Sequence, residues 1–290
     1  MATHIGFLAI FSWGLLALLG NLTKALPAFQ LLFICFSISF IILLVKRAAT
    51  KQPLLTPPKL SKKQIIIGVT GLFGFHFCYF MALKYGPLIE VSLIVYLWPL
   101  LLGVFVATPG SKFNVIGGGL LGFLGTLSLI TDGSGLSINS EYYLGYFFAG
   151  CCAVLWSSYS YLMSKFNSHV DDIGWLSLIV AILALCAHFH FETSVINLSA
   201  SQWLGAILLG LGPVGGAFYL WDYGLKFGNR TLLASLSFLT PVISTFILIL
   251  AAQAPFSWSV LIALALILIG AAVSNKLPLR GLNKFKKVKT

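Results

Sequence analysis

A chain of 290 residues that is 59% hydrophobic and only 9% charged carries more apolar surface than a soluble core of that size can bury. Composition therefore excludes a water-soluble domain and requires lipid around the chain. The net charge of +11 would suggest a nucleic-acid partner in a soluble protein, but the cations fall between apolar stretches, where membrane topology accounts for them without any nucleic acid.

A membrane-spanning helix takes roughly 20 apolar residues, so the length accommodates about ten of them. The sequence predicts spans near 4–20, 28–46, 65–84, 88–107, 114–130, 142–163, 172–190, 202–224, 232–252 and 256–275. The first is followed by Ala25-Leu26-Pro27-Ala28, as a cleaved leader would be, yet no Lys or Arg precedes it, and it reads as a helix. With the N-terminus inside, the inner loops collect Lys46, Arg47, Lys51, Lys59, Lys62, Lys63, Lys112, Lys165, Lys226 and Arg230. The tail adds Lys276, Arg280, Lys284, Lys286, Lys287 and Lys289, and only Lys24 and Lys84 stay outside. This asymmetry predicts that both termini are cytoplasmic. The basic loop and tail are also suited to anionic lipid headgroups. Tyr142, Tyr143, Trp175, Trp203 and Trp258 lie at span ends and read as an interfacial belt, and Glu90 belongs to the headgroup region.

An internal duplication runs through these spans. A shift of 142 positions carries Gly68 onto Gly210, Gly74 onto Gly216, Lys84 onto Lys226, Gly86 onto Gly228, Leu97 onto Leu239 and Pro99 onto Pro241, with no gap. Five spans per copy is an odd number, so the second copy must enter the membrane upside down. The expected architecture is an all-α polytopic membrane protein, with ten transmembrane helices in an inverted five-plus-five repeat around a central cavity. Its parts are residues 1–137, residues 138–275 and a basic cytoplasmic tail, 276–290. Trp13 meets Trp156 only after a one-residue slip, so the first helices of the copies agree less well.

Pro99 and Pro241 fall near the middle of the fourth and ninth spans, as helix breaks or gates. Proline cannot donate to the carbonyl four residues back, so Val95 and Ser237 lose partners in a medium without water. Either a neighbouring hydroxyl or water satisfies each kink, or the carbonyls face a substrate ammonium. Trp13, Tyr79, Tyr96, Trp98, Trp156 and Tyr159 lie nearer mid-depth, where polar ring atoms must turn away from lipid. They either pack helices together or line a cavity that suits an aromatic or apolar substrate. His76 shares a helix side with Tyr79 and is a candidate for hydrogen bonding or proton coupling. Asp222 precedes Lys226 by one helical turn, as an ion pair or a coupling pair. His188 and Glu192 share a helix face while His190 points away, and the five cysteines lie within apolar stretches at spacings that suit no metal. Neither a metal nor a cofactor is expected.

Tyr96-Leu97-Trp98-Pro99-Leu100, Trp221-Asp222-Tyr223-Gly224-Leu225-Lys226 and Leu239-Thr240-Pro241-Val242 with Ser244-Thr245 resemble the drug/metabolite transporter superfamily of EamA type, and within it the bacterial aromatic amino-acid exporters. The resemblance covers all ten spans. It implies a cavity lined by the first, third, fourth, sixth, eighth and ninth helices, and nominates His76, Tyr79, Tyr96, Trp98, Trp156 and Tyr159 for substrate binding. Thr240 stands where the first copy has Trp98, so the site should be asymmetric. The implied function is a secondary transporter that exports aromatic or other apolar amino acids across the bacterial inner membrane by alternating access, with protons as a candidate coupling ion. The alternatives are a carrier for another metabolite or drug-like amphiphile, an intramembrane lipid-modifying enzyme, for which the spans hold no convergent catalytic set, and a pore, for which no charged ring occurs. No P-loop is present to bind ATP.

Overall fold

The computed structural model of the chain describes residues 1–132 and 139–276. The repeat boundary at 137/138 and the tail cations Arg280, Lys284, Lys286, Lys287 and Lys289 lie outside the described residues. What is described is helical. Helices α1 (Ala2–Gly14) and α2 (Leu16–Thr23) form a pair bent by 40°, followed by α3 (Ala28–Ala49). Next come α4 (Lys62–Val69) and α5 (Phe75–Tyr85), joined by a π turn at Thr70–Gly74, then α6 (Leu88–Val95), α7 (Trp98–Val106) and α8 (Lys112–Thr131). The second half runs through α9 (Tyr143–Met163), α10 (Asp172–Phe191), α11 (Ala200–Leu211), α12 (Gly216–Phe227), α13 (Arg230–Leu236), α14 (Leu239–Leu250) and α15 (Trp258–Ser274). Among the described residues, six helical stretches are long and apolar enough to cross a membrane, or eight if each of the bent pairs α1–α2 and α13–α14 counts as one. Helix α15 is apolar but has 17 residues. Helix α9 has the length, but Trp156, Ser157, Tyr159 and Ser160 dilute its hydropathy, and all four are buried.

Local chemistry sets where the elements begin and break. Ser61 with Gln64 and Ser199 with Gln202 form capping boxes at the starts of α4 and α11. Besides the bend at Leu15 between α1 and α2, the helical ladder departs from α geometry at two places in each half that the 142-residue shift matches. The π turn at 70–74 corresponds to the irregular turn at 212–215, which separates α11 from α12. The break before Pro99 corresponds to that before Pro241. Around Pro99 the Tyr96 N–H bonds the Ser92 carbonyl, the Leu97 N–H bonds Ile94, and the ladder resumes with Leu101 on Leu97, passing over the Val95 and Tyr96 carbonyls. The second break differs from expectation. The Ser237 carbonyl accepts from the Thr240 N–H at 3.2 Å, because the chain tightens into a three-residue turn there and recovers the partner that Pro241 denies.

Helix pairs interchange when the halves are exchanged. Helix α1 packs on α12, as α9 packs on α5; α1 packs on α13 and α14, as α9 packs on α6 and α7; and α7 meets α13 between them. Two further pairs also join the halves in antiparallel fashion. Helix α3 lies on α10, with Phe29 beside Phe191 at one end, Ser39 Oγ bonded to Ser177 Oγ at 2.8 Å, and Lys46 paired with Asp171 at the other end. Helix α8 lies on α15 at backbone distance: a Cβ built on Gly118 would sit 2.2 Å from the Gly270 carbonyl oxygen. In lipid, helices gain little from hiding apolar surface from one another, so such small-residue contacts supply the association through close packing.

Gly118→Leu should therefore force α8 off α15 at a cost of about 1–3 kcal/mol. Gly117→Leu, where a Cβ would meet nothing within 4 Å, should be tolerated. Thermal unfolding of the two variants in detergent measures the difference.

Candidate functional site

Four indoles from four helices meet where α1, α7, α9 and α12 converge. Trp13 is the hub, with its ring centroid 6.1 Å from Trp98, 5.7 Å from Trp156 and 5.1 Å from Trp221. Trp98 closes the group at 6.2 Å from Trp156 and 5.8 Å from Trp221. Most of these contacts are edge-to-face, the arrangement that ring quadrupoles favour. All four rings are buried, Trp221 with 1% of its surface exposed. The Trp13 indole N–H donates to the Pro213 carbonyl at 3.1 Å, an acceptor within the irregular 212–215 turn, and that of Trp221 donates to Ser160 Oγ at 3.0 Å. The Trp98 and Trp156 indole N–H groups make no hydrogen bond to a described residue, so two donors remain unspent at the centre of the bundle.

A second layer surrounds His76. Its Nδ1–H donates to the Leu72 carbonyl at 2.7 Å, an acceptor within the π turn, which leaves Nε2 as the acceptor of the ring. Phe36, Phe75 and Phe218 stand edge-on to the imidazole at 5.5, 5.2 and 6.1 Å. Phe75 links this layer to the indoles, at 5.4 Å from Trp156, and stacks on Tyr79. Tyr159 lies 5.3 Å from Trp156. Tyr96 caps α6 at the Pro99 break. Among the nominated residues, Trp98, Trp156 and Tyr159 are thus in one cluster, His76 and Tyr79 are one ring removed, and Tyr96 sits two residues before Trp98 at the break.

The interior rings pack on each other at the centre of the bundle, while His76, Tyr79 and Tyr96 are only half-buried. Trp13, Trp221, Phe75 and Phe218 stand in this centre but are absent from the nominated set. The repeat itself held the signal for two of them, since the 142-residue shift carries Tyr79 onto Trp221 and His76 onto Phe218.

Below the indoles, the end of the bundle nearest the basic loops is tied by charge. Lys226 Nζ donates to Asp222 Oδ2 at 2.7 Å, to Ser168 Oγ at 2.8 Å and to the Ser168 carbonyl at 2.9 Å. Arg230 donates to the Leu225 and Ser164 carbonyls at 2.7 and 2.9 Å. These bonds hold the C-terminal end of α9 to the α12–α13 turn. The repeat mates of Asp222 and Lys226 are Phe80 and Lys84, where no carboxylate is available, and Lys84 is exposed with its ammonium 5.5 Å from the Tyr85 ring centroid. A cavity of about 750 Å³ lies at the tied end, and none of the nominated residues lines it. His188 serves a structural purpose. It bonds Glu192 at 2.8 Å and Ser194 at 2.7 Å, and Glu192 in turn accepts from the Phe29 and Gln30 N–H groups at the start of α3. His190 is exposed, and no group of three or more potential metal ligands occurs among the described residues.

Residues 2–131 and 143–276 each match the EamA-like transporter family. The chain is 40% identical over 285 residues to the protein named aromatic amino acid exporter YddG of Ancylobacter novellus, covering 96% of this chain and 98% of that one. It is 24% identical over 272 residues to the Escherichia coli protein of the same name, covering 89% and 91%. A crystal structure of a protein 40% identical in sequence superposes with a TM-score of 0.89 over 96% of this chain and 98% of that one.

The Asp222–Lys226 pair is buried on both sides. Removing one member of such a pair strands the other charge, whereas removing both does not. Lys226→Gln alone should destabilise the protein by about 3 kcal/mol, and the double variant Asp222→Asn/Lys226→Gln by less. Thermal unfolding of Lys226→Gln, Asp222→Asn and the double variant in one lipid–detergent mixture gives the coupling.

Proposed function

Because the chain belongs to the EamA-like transporter family, we propose that it exports aromatic and other apolar amino acids across a bacterial inner membrane by alternating access through the indole cluster. The protein is a transporter and not an enzyme. The observation that carries the choice of substrate is the four-indole centre with two free N–H donors, on a chain that aligns along nearly its whole length with an aromatic amino acid exporter. A substrate ring entering this centre replaces ring–ring contacts of the same kind. The cost of opening the cluster is thereby offset by the substrate side chain itself.

In this reading Trp98 and Trp156 bracket the substrate ring, with Tyr159 beside them. The carbonyls of Val95 and Tyr96, passed over by the helical ladder, face its ammonium. Tyr79, Tyr96 and the acceptor nitrogen of His76 supply polar contacts at its edge, and His76 is also the candidate for carrying a proton with the substrate. The breaks at Pro99 and Pro241 allow each half of a bent span to swing without unwinding the other.

The same reading takes α1–α2, α3, α4–α5, α6–α7, α8, α9, α10, α11–α12, α13–α14 and α15 as ten spans in an inverted repeat, residues 1–137 and 138–275, with both termini cytoplasmic. It is supported by matched breaks, interchangeable helix pairings, two separate family matches of similar length and the side on which the cations gather. A thiol-directed reagent that does not cross membranes should label Lys59→Cys only from the cytoplasmic side and Ser140→Cys only from the other. Labelling of both from one face would remove the orientation.

Trp98→Ala tests the substrate assignment. Loss of a ring contact worth about 0.5–1.5 kcal/mol beyond burial should weaken apparent affinity for phenylalanine or tryptophan on the order of tenfold. Alanine or threonine should be affected less. Transport in proteoliposomes, normalised to folded protein, checks this, and an equal loss for all four substrates would make Trp98 a packing residue only.

A further inference from the structure

The cavity of about 750 Å³ lies between the loop that follows α3, the turn between α9 and α10, and the end of α12. Its wall carries both signs of charge, and they are not all used by one another. Lys46 is paired with Asp171. Arg47 is 7% exposed and holds the Leu54 and Thr56 carbonyls through one nitrogen, while its buried Nε has no partner. Lys59 is exposed and makes no hydrogen bond to a described residue. Asp172, 5% exposed, accepts the His169 N–H through one oxygen and keeps the other. Tyr223 and Phe227, with ring centroids 4.9 Å apart, give the same cavity an apolar wall.

A site with unspent cations, an unspent carboxylate and aromatic rings, set into one concave surface, has the donor and acceptor pattern of a free α-amino acid with an apolar side chain. We infer that this cavity is a loading site, distinct from the indole centre, which holds the substrate zwitterion before transport: its carboxylate on Arg47 and Lys59, its ammonium on Asp172, its side chain against Tyr223 and Phe227. The inference rests on the export reading given above. Position supports it, since Ser168 lines the cavity and is also bonded to Lys226. The tie between α9 and α12 therefore separates this space from the indoles. Asp172 also interacts electrostatically with Lys226. An ammonium bound at Asp172 repels the lysine that keeps the passage shut, so loading and opening are linked by charge.

The test uses the full chain in proteoliposomes, with phenylalanine presented in turn from each face. Lys59→Gln and Asp172→Asn should each raise KM at the cytoplasmic face about tenfold, and leave KM at the opposite face unchanged. Lys59→Arg and Asp172→Glu should restore most of the loss, which a folding defect would not allow. Two half-substrates assign the charges. Inhibition by phenethylamine from the cytoplasmic face should weaken in Asp172→Asn but not in Lys59→Gln, and inhibition by 3-phenylpropionate should do the reverse. An unchanged KM at the cytoplasmic face in both variants, or an equal rise at both faces, overturns the loading site while leaving export intact. Absence of aromatic amino-acid flux in the unmodified protein overturns the export reading and this site with it.

Discussion

Backbone polar groups within a bilayer have no water to fall back on, so each interruption of an α-helix must find a partner inside the protein. This constraint ties the irregular parts of the chain to its centre. The π turn at 70–74 presents the Leu72 carbonyl, and His76 takes it; the turn at 212–215 presents the Pro213 carbonyl, and Trp13 takes it. Each interruption thereby fixes the orientation of an aromatic ring that would otherwise rotate. The Pro99 and Pro241 breaks differ, since the second is resolved within the backbone by Thr240 and the first is not. The two halves share a pattern of breaks but have divided the labour at them.

Around this centre the bundle is held by contact at short range. Glycines let α8 approach α15, and let α1 approach α12 where Gly6 faces Gly224, with a separation that no side chain would permit. A carrier needs helices that slide and tilt, and backbone-to-backbone contacts between small residues move with little change in volume. Where the protein does use charge, it does so at the ends of helices: Glu192 at the start of α3, Lys46 with Asp171 between α3 and α10, and Lys226 with Asp222 beneath the indoles.

Much of this was legible in the sequence, for physical reasons that differ from residue to residue. The helical stretches follow from apolar length, and the breaks at Pro99 and Pro241 from the missing N–H. The Asp222–Lys226 pair follows from i, i+4 spacing on one helix. Trp98, Trp156 and Tyr159 could be nominated because mid-depth rings with polar atoms must face inward. Phe36, Phe75 and Phe218 could not, because phenylalanine has no polar atom to betray which way it points in lipid. Trp221 could have been found through its repeat mate Tyr79, although a search by residue identity passes over that pair. The meeting of the four indoles was beyond reach, since which rings touch depends on helix tilts that no local pattern encodes. The Arg47, Lys59 and Asp172 cavity was hidden for another reason: its residues come from the last turn of α3, the loop after it and the first turn of α10, and each alone reads as an ordinary charged residue at a span end.

That Phe80, and not a carboxylate, stands one turn before Lys84 at the far end has a kinetic side. Two halves that were chemically alike would leave an empty carrier equally content facing either way. Here one end carries a buried ion pair with two further bonds to Ser168, while the equivalent positions at the other end hold Phe80 and an exposed Lys84. A difference of even about 1.4 kcal/mol between the two arrangements biases the empty population tenfold toward one of them. The end of the bundle that carries the Asp222–Lys226 pair is thus the end at which the empty protein is held shut.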